Sequence, residues 1–148
     1  YARGGFWYCP AYDVDKQAYR VFRCDRIESA EIAESEPLVD LRDIHLENRY
    51  SLWKPSKQAI HFKCRITRQG IERFREESYP SMGIIEEAGQ WYLAGTYEPH
   101  EEAFIVKYLA GFGTSVSVLE PALLKTRLKQ YCLSLLEHVS GTEATTQS

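Results

Sequence analysis

The chain has 148 residues, of which 44% are hydrophobic, and a formal net charge of −3. That length buries one substantial core or two small ones, and the composition excludes collagen-like, disordered and membrane-spanning chains. The charge excludes a protein basic over its whole surface, and its distribution makes any anion site local: residues 1–27 carry five basic and three acidic side chains, residues 28–53 two and seven, and residues 54–148 eleven of each.

The chain opens at Tyr1 and has its single methionine at Met82, so it reads as a piece of a longer protein, with no signal-peptide pattern. Cys9, Cys24, Cys64 and Cys132 are scattered, without a CxxC pair or a nearby histidine. Neither a zinc site nor a disulfide framework is indicated; reduced, mostly buried thiols and a cytoplasmic location are expected.

Residues 6–9 (Phe-Trp-Tyr-Cys) and 18–27 (Ala-Tyr-Arg-Val-Phe-Arg-Cys-Asp-Arg-Ile) are rich in strand formers, with Pro10 and the polar 13–16 between them, which predicts a hairpin. Arg3-Gly4-Gly5 predicts a further turn, with a preceding strand expected before Tyr1 and outside this chain, which would leave an unpaired edge. Residues 28–57 are acidic and irregular, with Pro37 and Pro55. They read as a solvated connection with some helical turns at 39–52.

A regular order follows: a strand at 59–66, a helix at 68–77, strands at 83–87 and 90–97 joined tightly through Ala88-Gly89, a helix at 100–111, a strand at 115–119 and a helix opened by Glu120-Pro121. Ile105, Tyr108, Leu109 and Phe112 share one face of the second helix, with Gly113 placed to stop it. Leu124, Leu128, Tyr131 and Leu135 share one face of the third, and a disordered tail is expected from Gly141. The order βαββαβ plus a terminal helix predicts an α+β, ferredoxin-like sandwich.

The densest chemistry lies at 19–27, where Arg20, Arg23 and Arg26 fall within seven residues. Strand alternation would set Arg20, Phe22, Cys24 and Arg26 on one face and Tyr19, Val21, Arg23, Asp25 and Ile27 on the other. Guanidinium groups flanking an aromatic ring suit a nucleotide or single-stranded nucleic acid. The same arginines could equally be structural: Arg23 has Asp25 beside it, and arginines on an exposed strand need no ligand.

These residues carry a resemblance. Phe6-Trp7-Tyr8-Cys9 followed by Arg20-Val21-Phe22-Arg23-Cys24-Asp25-Arg26-Ile27 resembles the second half of the WYL domain of bacterial DeoR-like transcriptional regulators, with Cys9 in place of the name-giving leucine. The literal Trp91-Tyr92-Leu93 lacks the arginine motif and reads as an ordinary hydrophobic strand. Residues 59–138 resemble the WCX domain that follows WYL in these regulators, through Tyr108-Leu109-Ala110-Gly111-Phe112-Gly113 and Val118-Leu119-Glu120-Pro121.

The resemblance implies a partial Sm-like β-barrel at 1–35, a linker at 36–57, a ferredoxin-like WCX domain at 58–140 and a tail at 141–148. It further implies a homodimer, an N-terminal domain outside this chain that binds duplex DNA, and a nucleic-acid or nucleotide effector. Arg20 and Arg26 are then expected to contact phosphate, Arg23 to contact ligand or pair with Asp25, and Tyr8 to stack or donate through its hydroxyl. Trp7 and Phe22 are expected in the core.

A second basic cluster (Lys63, Arg65, Arg68, Arg73, Arg75) could extend a phosphate track or simply be solvated. The glycines at 111 and 113 end a helix, whereas a phosphate loop opens one. His45, His61, His100 and His138 form no metal motif, and no nucleophile or acid–base pair is apparent, so neither metal, cofactor nor enzymatic activity is expected. The competing reading is a structural dimerisation module without a ligand.

Overall fold

The structure, a computed structural model, describes the chain except for residues 4, 46, 47, 49–52, 147 and 148. It divides into two compact units, Tyr1–Lys54 and Pro55–Ser148.

The first unit is a three-stranded antiparallel sheet in the order β1 (Ala2–Arg3), β2 (Phe6–Asp13), β3 (Ala18–Arg23). A strand was expected only before Tyr1; instead a two-residue β1 lies within the chain, held by Ala2↔Trp7 and Arg3↔Phe6 pairing. Gly4, in that turn, lies outside the described residues. β2 runs straight through Pro10, paired with Val21. β1 reaches only Phe6 and Trp7, so Pro10 sits beyond it, where the ladder loses nothing by lacking an N–H on that edge.

In the β2–β3 turn, Asp13 accepts the Lys16 N–H at 3.1 Å, and Gln17 adopts a left-handed φ of 47°. β3 ends at Arg23. Residues Cys24–Arg26 form a single 3-10 turn closed by Ile27 N–H donating to the Cys24 carbonyl at 3.2 Å. Strand alternation therefore stops before Arg26, which corrects the expectation that it shares a face with Arg20. From Glu28 to Lys54 the described residues are mostly exposed, including Ile32 and Leu38, with Val39, Leu41, Ile44, Asn48 and Trp53 half-buried, and show only bends and turns. The helical turns expected at 39–52 fall partly outside the described residues.

The second unit holds β4 (Ile60–Ile66), α1 (Arg68–Glu76), β5 (Met82–Glu87), β6 (Gln90–Tyr97), α2 (Glu102–Ala110), β7 (Val116–Glu120) and α3 (Ala122–Thr146). The sheet order is β5-β6-β4-β7 with every neighbour antiparallel, the ferredoxin-like arrangement. Phe62, Cys64, Ile66, Leu93, Tyr97, Val116 and Val118 point from one sheet face into a core completed by Ile105, Val106, Leu109, Phe112 and Leu124.

Local signals explain the boundaries. Thr67 caps α1 by accepting the Gly70 N–H at 3.2 Å, satisfying one of the donors a helix start leaves free. A Cβ at Gly70 would lie 2.6 Å from the Ile66 side chain, so glycine lets α1 approach β4. The β5–β6 turn takes Ala88 and Gly89 both to positive φ, 50° and 76°, the two-residue geometry that matches strand twist. α2 starts as a 3-10 turn at Pro99–Glu101 and stops before Gly113, whose φ is 57°.

α3 departs from expectation in two ways. It continues past Gly141 to Thr146, where a disordered tail was expected; extending a formed helix adds a hydrogen bond for each residue fixed, which offsets the glycine. Its apolar stripe is also only half used. Leu124 is buried and Leu128 and Tyr131 pack on the core, but Leu135 is 46% exposed and Val139 55% exposed. The helix runs on past its last core-packed residue, Tyr131. No described helix is long and apolar enough to cross a membrane.

Candidate functional site

The register of β2 and β3 sorts the WYL-like residues into two opposite faces. Tyr8↔Arg23, Pro10↔Val21 and Tyr12↔Tyr19 define one; Cys9↔Phe22, Ala11↔Arg20 and Asp13↔Ala18 define the other, which Trp7 joins by alternation. The four expected ligand residues are therefore not gathered on one surface. Tyr8 and Arg23 share the first face, Arg20 lies on the second, and Arg26 is exposed on the 3-10 turn.

The first face is knitted together by its own side chains. Arg23 forks onto Asp25, Nε to Oδ1 at 3.0 Å and Nη2 to Oδ2 at 2.6 Å, while its guanidinium carbon lies 3.9 Å from the centre of the Phe6 ring. The hydrogen bond from Arg23 holds the Asp25 carboxyl below its ordinary range and raises Arg23 in turn. Tyr8 stacks on Tyr1 with ring centres 5.5 Å apart, and Tyr19 is buried. Of the two roles open to Arg23, pairing with Asp25 is the one the geometry displays.

The second face is open. Trp7 is 66% exposed and Phe22 38%, and Cys9 between them is exposed as well. Trp7 and Phe22, expected as core residues, are thus exposed in this chain, whose first unit supplies no second layer over this sheet face among the described residues. Arg20 stands on this face, 3.6 Å from Asp13. That contact is a loose ion pair without a hydrogen bond, unlike the Arg23 fork. Arg26 makes no ion pair among the described residues. Trp7 as a surface aromatic was missed from sequence because aromatic side chains in strands are so commonly core.

Two further expectations are revised. The thiols are not mostly buried: Cys64 is, Cys24 is intermediate, and Cys9 and Cys132 are exposed. Cys9 lies on the uncovered sheet face and Cys132 on α3, next to the core-packed Tyr131. The second basic cluster does not form one track. Alternation along β4 places Lys63 and Arg65 on the sheet face away from the core, where Lys63 pairs with Glu87 at 2.5 Å and lies over Tyr92. Arg73 lies over Phe112, and Arg68 and Arg75 line a groove beside α1. Among the described residues no three His, Cys, Asp or Glu side chains gather in a metal-holding arrangement.

The aromatic–arginine sheet and the ferredoxin-like unit correspond to two domains that the family comparisons find in the same order. The WYL domain matches residues 1–32 and the WCX domain residues 58–136. The second match spans more than half of the chain, which belongs to the WCX domain family and carries WYL sequence ahead of it. The WYL match covers the Trp7-Tyr8-Cys9 motif and not the literal Trp91-Tyr92-Leu93. These are the domains of a regulator's sensing or dimerisation region. Among solved structures, proteasome accessory factor B/C (PafBC) of Arthrobacter aurescens is similar at 20% identity with a TM-score of 0.35, covering 86% of this chain. The chain spans 20% of that relative's length. No curated protein matches.

Proposed function

We propose that this chain is the effector-sensing and dimerisation region of a cytoplasmic, non-enzymatic transcriptional regulator, in which a nucleic-acid or nucleotide ligand binds the arginine-bearing strand and controls an N-terminal DNA-binding domain. The observation that carries the reading is the open face of β2 and β3, where exposed Trp7 and Phe22 stand on the same side as Arg20. Aromatic faces stack on any base and a guanidinium grips phosphate. Arg20 can exchange its loose Asp13 contact for a phosphate, and Arg26 is exposed.

Arg23 belongs to this site as a positioning residue, because its fork to Asp25 fixes the turn that carries Arg26. Tyr8, on the opposite face, supports the sheet. The uncovered half of the α3 stripe supports the dimerisation part, since a second copy of the helix would cover Leu135 and Val139 symmetrically. Effector binding would bias the dimer through unequal affinity for two arrangements.

The test is fluorescence anisotropy of labelled single-stranded DNA and RNA with the full-length parent protein at low and moderate salt, beside Arg20→Ala/Arg26→Ala. Salt-sensitive binding that the variant loses supports the reading, because phosphate contacts release counterions. Equal binding by both proteins, or none, overturns the assignment of a nucleic-acid site to Arg20 and Arg26. A second reading, a ligand-free dimerisation scaffold, is favoured by one observation: Arg20 and Arg23 each already face a carboxylate, Asp13 and Asp25.

A further inference from the structure

The second unit contains a groove that the proposed sensing face does not involve. It runs between α1 and the β5–β6 hairpin, has a volume of about 520 Å³, and is lined by Arg68, Ile71, Glu72, Phe74, Arg75, Ile84 and Trp91. That is within the usual range for a small-molecule site, roughly 300–1,000 Å³.

Its chemistry is two-sided. Ile71, Phe74, Ile84 and Trp91 make an apolar lining, in which Ile71, Phe74 and Ile84 are half-buried against the core while Trp91 stays 42% exposed. Arg68, Ile71, Glu72 and Arg75 stand at i, i+3, i+4 and i+7, one stripe of α1, with the two guanidinium groups' Cα atoms about 10 Å apart along the axis. Neither Arg68 nor Arg75 has an ion pair or hydrogen bond among the described residues, although Glu72 lies within helical reach of both. Glu86, across from Trp91 on β5 and β6, makes the strand side acidic.

We infer that this groove binds a small amphipathic monoanion, an apolar ring or chain lying on Trp91 and Ile84 with its carboxylate, sulfonate or phosphodiester held by Arg68 and Arg75. Two unpaired forks supply the anion grip. Glu72 in the lining and Glu86 at the strand side offset the two guanidinium groups, so the groove carries no excess positive charge beyond the pair that grips the anion, which disfavours a polyanion such as nucleic acid. The exposed indole supplies the apolar contact area.

The probe is 8-anilino-1-naphthalenesulfonate, an aromatic monoanion, titrated into the whole chain and followed by its fluorescence, beside the uncharged N-phenyl-1-naphthylamine. Saturable sulfonate binding is expected, weakened about tenfold or more in Arg68→Gln/Arg75→Gln, with the neutral probe changed by less than about twofold. Glu72→Gln, which removes the opposing charge and keeps the helix, is expected to tighten the sulfonate about threefold. Unchanged sulfonate affinity in either variant overturns the proposal, since the dye would then be resting on another apolar face such as the α3 stripe. If the double arginine variant fails to fold, the Glu72→Gln result decides.

Discussion

Arg23 and Asp25 are joined by a two-pronged fork across the junction of β3 and the 3-10 turn, with the Phe6 ring lying against the guanidinium. The pair sets a sign for acid behaviour. Asp25 is held below its ordinary value of 3.8 by the Arg23 hydrogen bond. Its contribution to folding is therefore full above the unfolded carboxyl's pKa and is lost as pH falls through the lower folded value. Carboxyl-carbon NMR titration should show Asp25 titrating below 3.8 in the parent chain and returning toward 3.8 in Arg23→Gln. An unshifted Asp25 in the parent would mean the fork does not persist in solution.

Tyr97 is buried, and its hydroxyl has no hydrogen-bond partner among the described residues. Burial also pushes the phenol's pKa up. An unmet buried hydroxyl costs about 1–3 kcal/mol, so Tyr97→Phe is expected to stabilise the second unit by about 1 kcal/mol. Thermal unfolding followed by circular dichroism should show a Tm rise of about 4 °C or more; a fall in Tm would show that the hydroxyl does have a partner.

Ala88 sits at φ 50° in the β5–β6 turn, a left-handed conformation that its Cβ disfavours. Asparagine tolerates that region and is preferred at this turn position. Ala88→Asn should therefore stabilise by roughly 0.5–1 kcal/mol, measured by urea unfolding at unchanged m-value.

The thiols should react in an order set by burial. Cys9 and Cys132 are exposed, whereas burial pushes Cys64 up to about 12. With an aromatic disulfide reagent at pH 8, Cys9 and Cys132 should react first, Cys24 more slowly, and Cys64 only on unfolding. Fast modification of Cys64 in the native chain, seen by peptide mass mapping, would contradict the packing described for β4.

Sedimentation should detect self-association through α3. Leu135→Glu/Val139→Glu places two charges on the uncovered stripe. It is expected to shift a dimer toward monomer while leaving the monomer's fold, read by circular dichroism, intact. A dimer indifferent to these charges would place the interface elsewhere.

Much of the second unit could be read from sequence because its signals agree with one another. The spacing of Ile105, Tyr108, Leu109 and Phe112 gave the buried face of α2, and Gly113 gave its stop. Ala88-Gly89 marked the hairpin within a residue of its observed ends. The first unit was less legible. Trp7 and Phe22 carry the composition of core residues, and composition cannot show whether a second layer of protein lies over a sheet face. Arg26 left the strand because the closed Cys24–Ile27 turn overrode alternation. Leu135 kept the period of a buried stripe on a helix that had already outrun its partner.

That overrun gives α3 a mechanical property. Its first turns are clamped by Leu124, Leu128 and Tyr131, while the residues from about 132 to 146 extend a further ~22 Å at 1.5 Å per residue. A 10° tilt at the clamp would swing the far end by roughly 4 Å. The helix is a lever: small repacking around Leu124 is magnified at its tip.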